Sequence, residues 1–334
     1  MCNRFWVGVD LAKLSFHAAL APIQARPDEW AQLSHGAFEH TAQGVNALCA
    51  WIARRGCSRE NIAGVCVEAT GSLAWRFVEL LEDRLGPVSI VNPAYPHQFA
   101  KSVGLRDKTD RTDACVLALY GVAMRPAPRP LPDERARKLR ELADLYADTR
   151  RDLTATENRL GERIVSDFVR KRLKARSRQL KKELEAIEKE MDTITAEDPQ
   201  AAQDAQRMQT IPGVGPKTAR LLLAYLGNLR TYTRAELTAR AGLYPRKYQS
   251  GSSVNRKPRL AKGGGAAVRT ALYMAALNAR RFCPHLKAFA DRLKLQGLAP
   301  MAILGAVMRK LLLLIRRLVV TQTDYQPQFT TQNP

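Results

Sequence analysis

Apolar positions in the first 125 residues come in short, regularly punctuated runs. Phe5-Trp6-Val7-Gly8-Val9-Asp10 and Ser15 to Ala21, separated by Leu11-Ala12-Lys13, predict two antiparallel strands joined by a tight turn, with Asp10 at the end of the first. His35 to Glu39 predicts a third strand, and Thr41 to Arg55 spaces Val45, Leu48, Ala50 and Ile52 as a helix does. Asn61 to Val67 is a further β-branched run that ends in Glu68. Ala69-Thr70-Gly71-Ser72 follows, then a helix from Leu73 to Leu85 and a strand at Val88 to Val91, stopped by Asn92-Pro93. A loop rich in proline and basic residues then leads to Lys108-Thr109-Asp110-Arg111-Thr112-Asp113-Ala114, where Thr109 is the N-cap of a helix carrying Cys115, Val116, Leu117, Leu119 and Tyr120. His35 and His40 read as surface residues.

The pattern changes after residue 125. Pro126-Ala127-Pro128-Arg129-Pro130-Leu131-Pro132-Asp133 cannot be helical and marks a linker. Beyond it Leu139, Tyr146, Leu153 and Leu160 recur every seven residues, as do Leu173, Leu180, Ile187 and Ile194, with Leu184 and Met191 in the second seam. The two registers do not join, so the arm is either two helices or one helix with a break near Val165 to Arg172. Pro199 ends it. Ile211-Pro212-Gly213-Val214-Gly215-Pro216-Lys217 reads as the hairpin of a helix-hairpin-helix-like element, whose amides and helix N-terminus suit a backbone phosphate, or as a plain inter-helix turn. Pro216 stands where a Walker loop needs glycine. A helix is expected around Ala235 to Ala241, a Ser/Gly-rich basic loop from Gly242 to Ser253, a helix after Gly263-Gly264-Gly265, and a buried helix at Leu295 to Met308.

Charge sharpens this division. The 334 residues carry a formal net charge of +21, which favours a polyanionic partner. Residues 201–334 hold 22 basic and 4 acidic side chains, whereas 1–125 hold 13 and 12 and 126–200 hold 18 and 16. Three segments follow: an acid-bearing 1–125, a linker and arm at 126–200, and a basic 201–334. Arg309-Lys310 and Arg316-Arg317 interrupt the apolar C-terminal stretch too often for a membrane span, which leaves nucleic acid as the polyanion. Six cysteines without a CxxC spacing suggest neither zinc nor a disulfide framework, and the N-terminus lacks a signal peptide's apolar core, so the expected location is the cytoplasm.

The candidate chemistry lies in two places. Asp10 and Glu68 each end a strand, and Asp110 and Asp113 stack on one face of a first helical turn. Taken singly, Asp10 reads as a turn acid, and the two helix acids as first-turn charges favoured by the dipole. Taken together, the order strand, strand, strand, helix, strand, helix, strand, helix is that of an α/β RNase H-like (RuvC-like) domain, in which acids from two adjacent strands and a later helix converge at one sheet edge. Four carboxylates there suit Mg2+ or Mn2+ clamping a scissile phosphate. Asp107 reads as a loop acid. In the basic third, Ser250, Ser252 and Ser253 lie among Arg246, Lys247, Arg256, Lys257, Arg259 and Lys262. Such a loop is either a flexible phosphate grip or the surroundings of an activated serine.

Val7-Gly8-Val9-Asp10-Leu11-Ala12-Lys13, Val67-Glu68-Ala69-Thr70-Gly71, Lys108 to Ala114, Ile211 to Pro216, and Gly242-Leu243-Tyr244-Pro245 followed by Gln249-Ser250-Gly251 resemble the DEDD-type insertion-sequence transposases. These are relatives of the pilin-gene invertase, and some are guided by a bridge RNA. The resemblance implies a RuvC-like N-terminal domain, a coiled-coil arm and a mainly α C-terminal transposase domain. It implies Asp10, Glu68, Asp110 and Asp113 as metal ligands and Ser250 as a nucleophile that forms a covalent phosphoserine link to cleaved DNA, in a composite site built from different protomers. The residues themselves, apart from the resemblance, point to Gly213, Gly215, Lys217, Arg246, Lys247, Arg256, Lys257, Arg259 and Lys262 as nucleic-acid contacts. The implied partners are double-stranded donor and target DNA, a structured noncoding guide RNA, and further copies of the chain, a dimer assembling to a tetramer in the bacterial nucleoid. Two other classes remain open: a metal-dependent nuclease or junction resolvase that uses water, and a non-catalytic architectural binding protein.

Overall fold

In the computed structural model, the apolar runs of the first 91 residues pair into one five-stranded sheet. The structure describes residues 4–68, 75–105, 109–128, 132–250, 254–261 and 265–327, with the backbone alone at 75–76, 246–250 and 254–259. The chain divides into two compact units, Met1–Leu131 and Pro132–Pro334.

In the first unit the strands are β1 (Phe5–Leu11), β2 (Ser15–Pro22), β3 (Ser34–Glu39), β4 (Ile62–Glu68) and β5 (Val88–Val91), and the helices are α1 (Ala42–Ala53), α2 (Trp75–Leu85), α3 (Ala94–Ser102) and α4 (Asp110–Met124). The sheet order is β3-β2-β1-β4-β5. β1 to β3 form an antiparallel meander, and β4 and β5 run parallel to β1. This mixed sheet flanked by helices is compatible with an RNase H-like α/β domain. Strand alternation splits the core into two layers. Val7, Val9, Phe16, Ala18, Val65 and Val67 pack with Leu48, Trp51, Val78 and Leu81 of α1 and α2. Trp6, Ala19, Ala21 and Cys66 face α4, whose residues Ala114 to Gly121 are all buried.

Gly8 makes the seating of α4 possible. A Cβ there would lie 2.2 Å from both the Ala114 carbonyl oxygen and the Ala118 nitrogen, and one on Gly121 would lie 2.4 Å from the Trp6 ring. Glycine at both positions lets helix and strand backbones approach directly. These contacts also fix direction: Ala114 and Ala118 lie over Gly8 and Gly121 over Trp6, so α4 runs opposite to β1.

In the second unit α5 (Glu134–Gly161) and α6 (Asp167–Ala196) form a helical pair, capped by Asp133 and Ser166. The break between the two heptad registers falls at 162–166. Leu139, Tyr146, Leu153, Leu180, Leu184, Ile187, Met191 and Ile194 are buried, and the same core continues through α7 (Pro199–Gln209), α8 (Pro216–Leu226), α10 (Ala266–Phe282), α11 (Pro284–Leu295) and α12 (Pro300–Thr321). A short α9 (Arg234–Arg240) precedes a two-stranded antiparallel hairpin, β6 (Pro245–Ser250) and β7 (Val254–Leu260). Tyr225 Oη donates to the Ala143 carbonyl at 3.0 Å and ties α8 to α5. At the far end of the pair, Val165 (92% exposed) and Phe168 (72%) face solvent.

Three expectations need correction. Residues 94–102 are α3 and not loop, because Pro96 falls in the first turn, where a proline costs no hydrogen bond. The segment expected as a flexible loop through Ser250 is strand β6, because β7 gives its backbone a partner. Leu295 to Met308 is not one helix. Gly297 takes a left-handed φ of +76° to end α11, and Pro300 opens α12. Among the described residues no helix is long and apolar enough to cross a membrane.

Candidate functional site

The four sequence-nominated acids all stand at the edge of the sheet where β1 and β4 end. Val9 pairs with Val67 in parallel register, so Asp10 and Glu68 occupy the next position on neighbouring strands. Asp10 lies two residues beyond Gly8 and Glu68 two beyond Cys66, and both of those face α4, so by alternation both acids are on the α4 face. Because α4 runs opposite to β1, its first turn, with Asp110 and Asp113, is brought to this same edge. Thr109 starts that turn by accepting from the Thr112 amide at 3.2 Å, and its hydroxyl meets that of Thr112 at 2.8 Å. The helix N-terminus favours both carboxylates, worth about 0.3–1 kcal/mol for each at an exposed site. The dipole reading of these two acids therefore holds alongside any ligand role.

A residue that the sequence reading passed over completes the edge. His17 of β2 is the direct antiparallel partner of Asp10, and its Nε2 lies 3.8 Å from Asp110 Oδ2. Its side chain is 26% exposed and that of Asp110 67%. The signal was present: in a hairpin with a tight turn, the residue opposite a strand-end acid can be counted off from the turn. His40, expected at the surface, is half-buried. It donates from Nδ1 to the Ala12 carbonyl at 2.8 Å and meets the Phe77 ring edge-on at 4.4 Å, pinning the β1–β2 turn.

As a donor set, four carboxylates at a half-exposed edge fit a hard divalent cation, which takes oxygen ligands. The fit is one of donor chemistry and edge placement. Among the described residues no three His, Cys, Asp or Glu side chains are grouped so as to hold a metal ion. The cysteines offer no alternative. Burial pushes the Cys66 thiol up to about 12 and Cys115 up to about 11, and the described cysteines are all free. They are packing thiols.

In the second unit Ser250 is the last residue of β6, paired with Val254. Arg246 pairs with Arg259, and Tyr248 with Arg256, so the hairpin backbone sets Arg246, Lys247, Arg256, Lys257 and Arg259 along two adjacent strands. Asp107, Ser252, Ser253, Lys262 and residues 69–74 lie outside the described residues. The glycine turn at 210–215 joins α7 to α8. Gly213, at φ +98°, presses its Cα against α10, where a Cβ would lie 2.5 Å from the Ala279 nitrogen. Gly215 is the N-cap of α8. Lys217 Nζ is 3.0 Å from Glu188 Oε1 of α6, and Arg220 reaches the same carboxylate at 3.1 Å and Asp192 at 2.5 Å. In this structure Lys217 thus serves the packing of α8 on the arm.

Residues 7–166 match the DEDD-type transposase model of IS110 elements, and residues 205–291 match the model described as the transposase IS116/IS110/IS902 family. The first match ends at the break between α5 and α6, and the second runs from α7 into α11. The pilin gene-inverting protein of Moraxella bovis is 29% identical over 313 residues, covering 93% of this chain and 94% of that protein, and its Moraxella lacunata counterpart gives the same figures. The transposase for insertion sequence element IS1328 of Yersinia enterocolitica is 40% identical over 70 residues, 21% of this chain and 20% of that protein. Family models matching both units in order, with inverting proteins aligned nearly end to end, carry one conclusion: the chain belongs to the IS110-type family of transposases and recombinases.

Proposed function

We propose that this enzyme, which cleaves and rejoins DNA, is a site-specific recombinase of an insertion sequence in which the acids of the first unit act together with Ser250 of the second. The observation that carries the reading is the shared strand end of Asp10 and Glu68, on the sheet face against which α4 opens with Asp110 and Asp113. Asp10, Glu68, Asp110 and Asp113 would hold magnesium or manganese, which when bound supplies Lewis-acid stabilisation of the scissile phosphate. His17 stands against Asp110 and orients that carboxylate. Ser250 Oγ attacks phosphorus. An O–P bond to serine forms, the bond to the leaving deoxyribose oxygen breaks, and the proton given up by the serine hydroxyl is balanced by the one that this oxygen takes up. The cationic side chains of the β6–β7 hairpin and Lys262 stabilise the charge that develops. Attack by a hydroxyl of the exchanged strand on the phosphoserine reverses the step and rejoins DNA.

Binding specificity is assigned to a structured noncoding guide RNA that pairs with donor and target DNA. Assembly proceeds from dimer to tetramer. The test is cleavage of end-labelled DNA by purified protein with its co-purified RNA, resolved on a denaturing gel. Asp10→Ala should bind nucleic acid and not cleave, and Ser250→Ala should lose any protein-linked product. Cleavage with no adduct in the wild-type protein would assign the attack to water. An adduct that persists in Ser250→Ala would move the nucleophile to another residue.

A further inference from the structure

Residues 201–334 have few acids, and two of the four are already committed. Asp204 is buried against Arg207 and Arg230, and Glu236 caps α9 through Thr233. Between α11 and α12, cations are packed together without such company. His285, Phe289 and Arg292 follow one face of α11 at i, i+4 and i+7 spacing. Lys310 of α12 sits 4.7 Å above the centre of the Phe289 ring, and the guanidinium of Arg292 lies 5.5 Å from the same ring. One aromatic ring therefore serves two cations, and neither Lys310 nor Arg292 has a carboxylate partner among the described residues.

We propose that Lys310, Arg292 and His285, set around Phe289 between α11 and α12, form a seat for a backbone phosphate of a nucleic-acid duplex. Its residues are other than those of the β6–β7 hairpin and the glycine turn, and it rests on the recombinase reading only for which polymer supplies the phosphodiester. The electrostatics agree. Burial, then Arg292 and Arg234, hold the Lys310 ammonium below its ordinary range. Burial, then Lys310 and Arg317, do the same to the His285 imidazolium. A half-buried cation crowded by like charge is stabilised by an incoming anion more than a solvated surface lysine is. The Phe289 ring keeps the Lys310 stem from turning away, so the charge is positioned before the phosphate arrives.

Duplex DNA and duplex RNA present the same phosphodiester, and the test has an arm for each. Fluorescence anisotropy with a labelled non-specific duplex of each kind is followed from 50 to 200 mM salt for the full chain, Arg292→Gln, Lys310→Gln, the double variant and Lys310→Arg. Each lost contact should flatten the slope of log K against log salt by about 0.9 on B-DNA, whatever the base sequence, and Lys310→Arg should keep the wild-type slope. The duplex whose slope responds is the one seated here. Exposed Arg292 can be replaced without disturbing the core, and a wild-type melting curve for Arg292→Gln separates lost binding from lost fold. Unchanged slopes on both duplexes in the double variant would overturn the proposal while leaving metal-dependent cleavage by the acid edge, measured separately, to stand or fall on its own.

Discussion

Replacing Gly8 by alanine adds one methyl group where the structure has no room for it. The new carbon would lie 2.2 Å from the Ala114 oxygen, 2.2 Å from the Ala118 nitrogen and 2.9 Å from the Ala118 Cα, all backbone atoms of α4. No rotamer relieves a clash with backbone, so helix and strand must separate by roughly 1 Å to restore ordinary contact at 3.4 Å. Overpacking of this kind costs about 1–3 kcal/mol. For a unit of this size that lowers the melting temperature by about 4 °C per kcal/mol. The same displacement shifts the first turn of α4 away from Asp10 and Glu68, and a misplacement of about 1 Å in a reacting constellation costs on the order of 100-fold in rate. Calorimetry of the first unit's transition and a DNA-nicking assay read the two effects. Gly161→Ala is the control: no atom lies within 4 Å of a Cβ there, and it should stabilise α5 by up to about 1 kcal/mol with cleavage unchanged. Wild-type melting and wild-type nicking in Gly8→Ala would refute the argument that α4 is seated on β1 by backbone contact.

Four other outcomes follow from particular contacts. Asp204→Ala removes a carboxylate 4% exposed that holds both Arg207 and Arg230, and it should cost about 3–5 kcal/mol in a urea titration, since two guanidiniums lose their partner. Tyr225→Phe removes the hydroxyl bond to the Ala143 carbonyl, which keeps its partner within α5, and should cost about 0.5–1.5 kcal/mol by the same measurement. The raised thiol of Cys66 means that the folded chain holds its proton where the unfolded chain releases it. That contribution is complete below pH 9 and is lost as pH rises through about 12, so Cys66→Ala should show a flatter decline of the urea midpoint over this range. His17→Ala should weaken Mn2+ binding, followed by electron paramagnetic resonance, with the melting curve kept. Unaltered Mn2+ binding would remove His17 from the orientation of Asp110.

Much of the first unit was legible because strand periodicity and acid position are local signals. Each strand-end acid followed an unbroken apolar run, and Thr109 announced a helix start. The cap, the succession of strands along the chain and the ends of β5 agree with that reading. The pairing of His17 with Asp10 could be counted off from the turn, but its approach to Asp110 was not legible, because that depends on α4 crossing above. The β6–β7 hairpin was missed for a related reason. Its sequence is basic and serine-rich, without an apolar face, and a strand of that kind is set by its backbone partner. Lys217 looked like a phosphate ligand from its place after two glycines, but an acid 29 residues earlier on α6 takes the charge. Arg292 and Lys310 gave no local cue, since they meet only through the packing of two helices on one aromatic ring.

The arm's inner half and the C-terminal helices bury their leucines in a single interior, and that decides where the polypeptide can be dissected. A fragment beginning near residue 200 would bare the faces that Leu139, Tyr146, Ile187 and Met191 cover, and would be expected to aggregate when expressed. A cut between Leu131 and Pro132 respects the boundary of the second unit and keeps that interior whole. Anyone wishing to graft, shorten or exchange the arm should do so outward of Thr156 and Ser177, where the pair stops being load for the rest of the protein and becomes a free-standing spar.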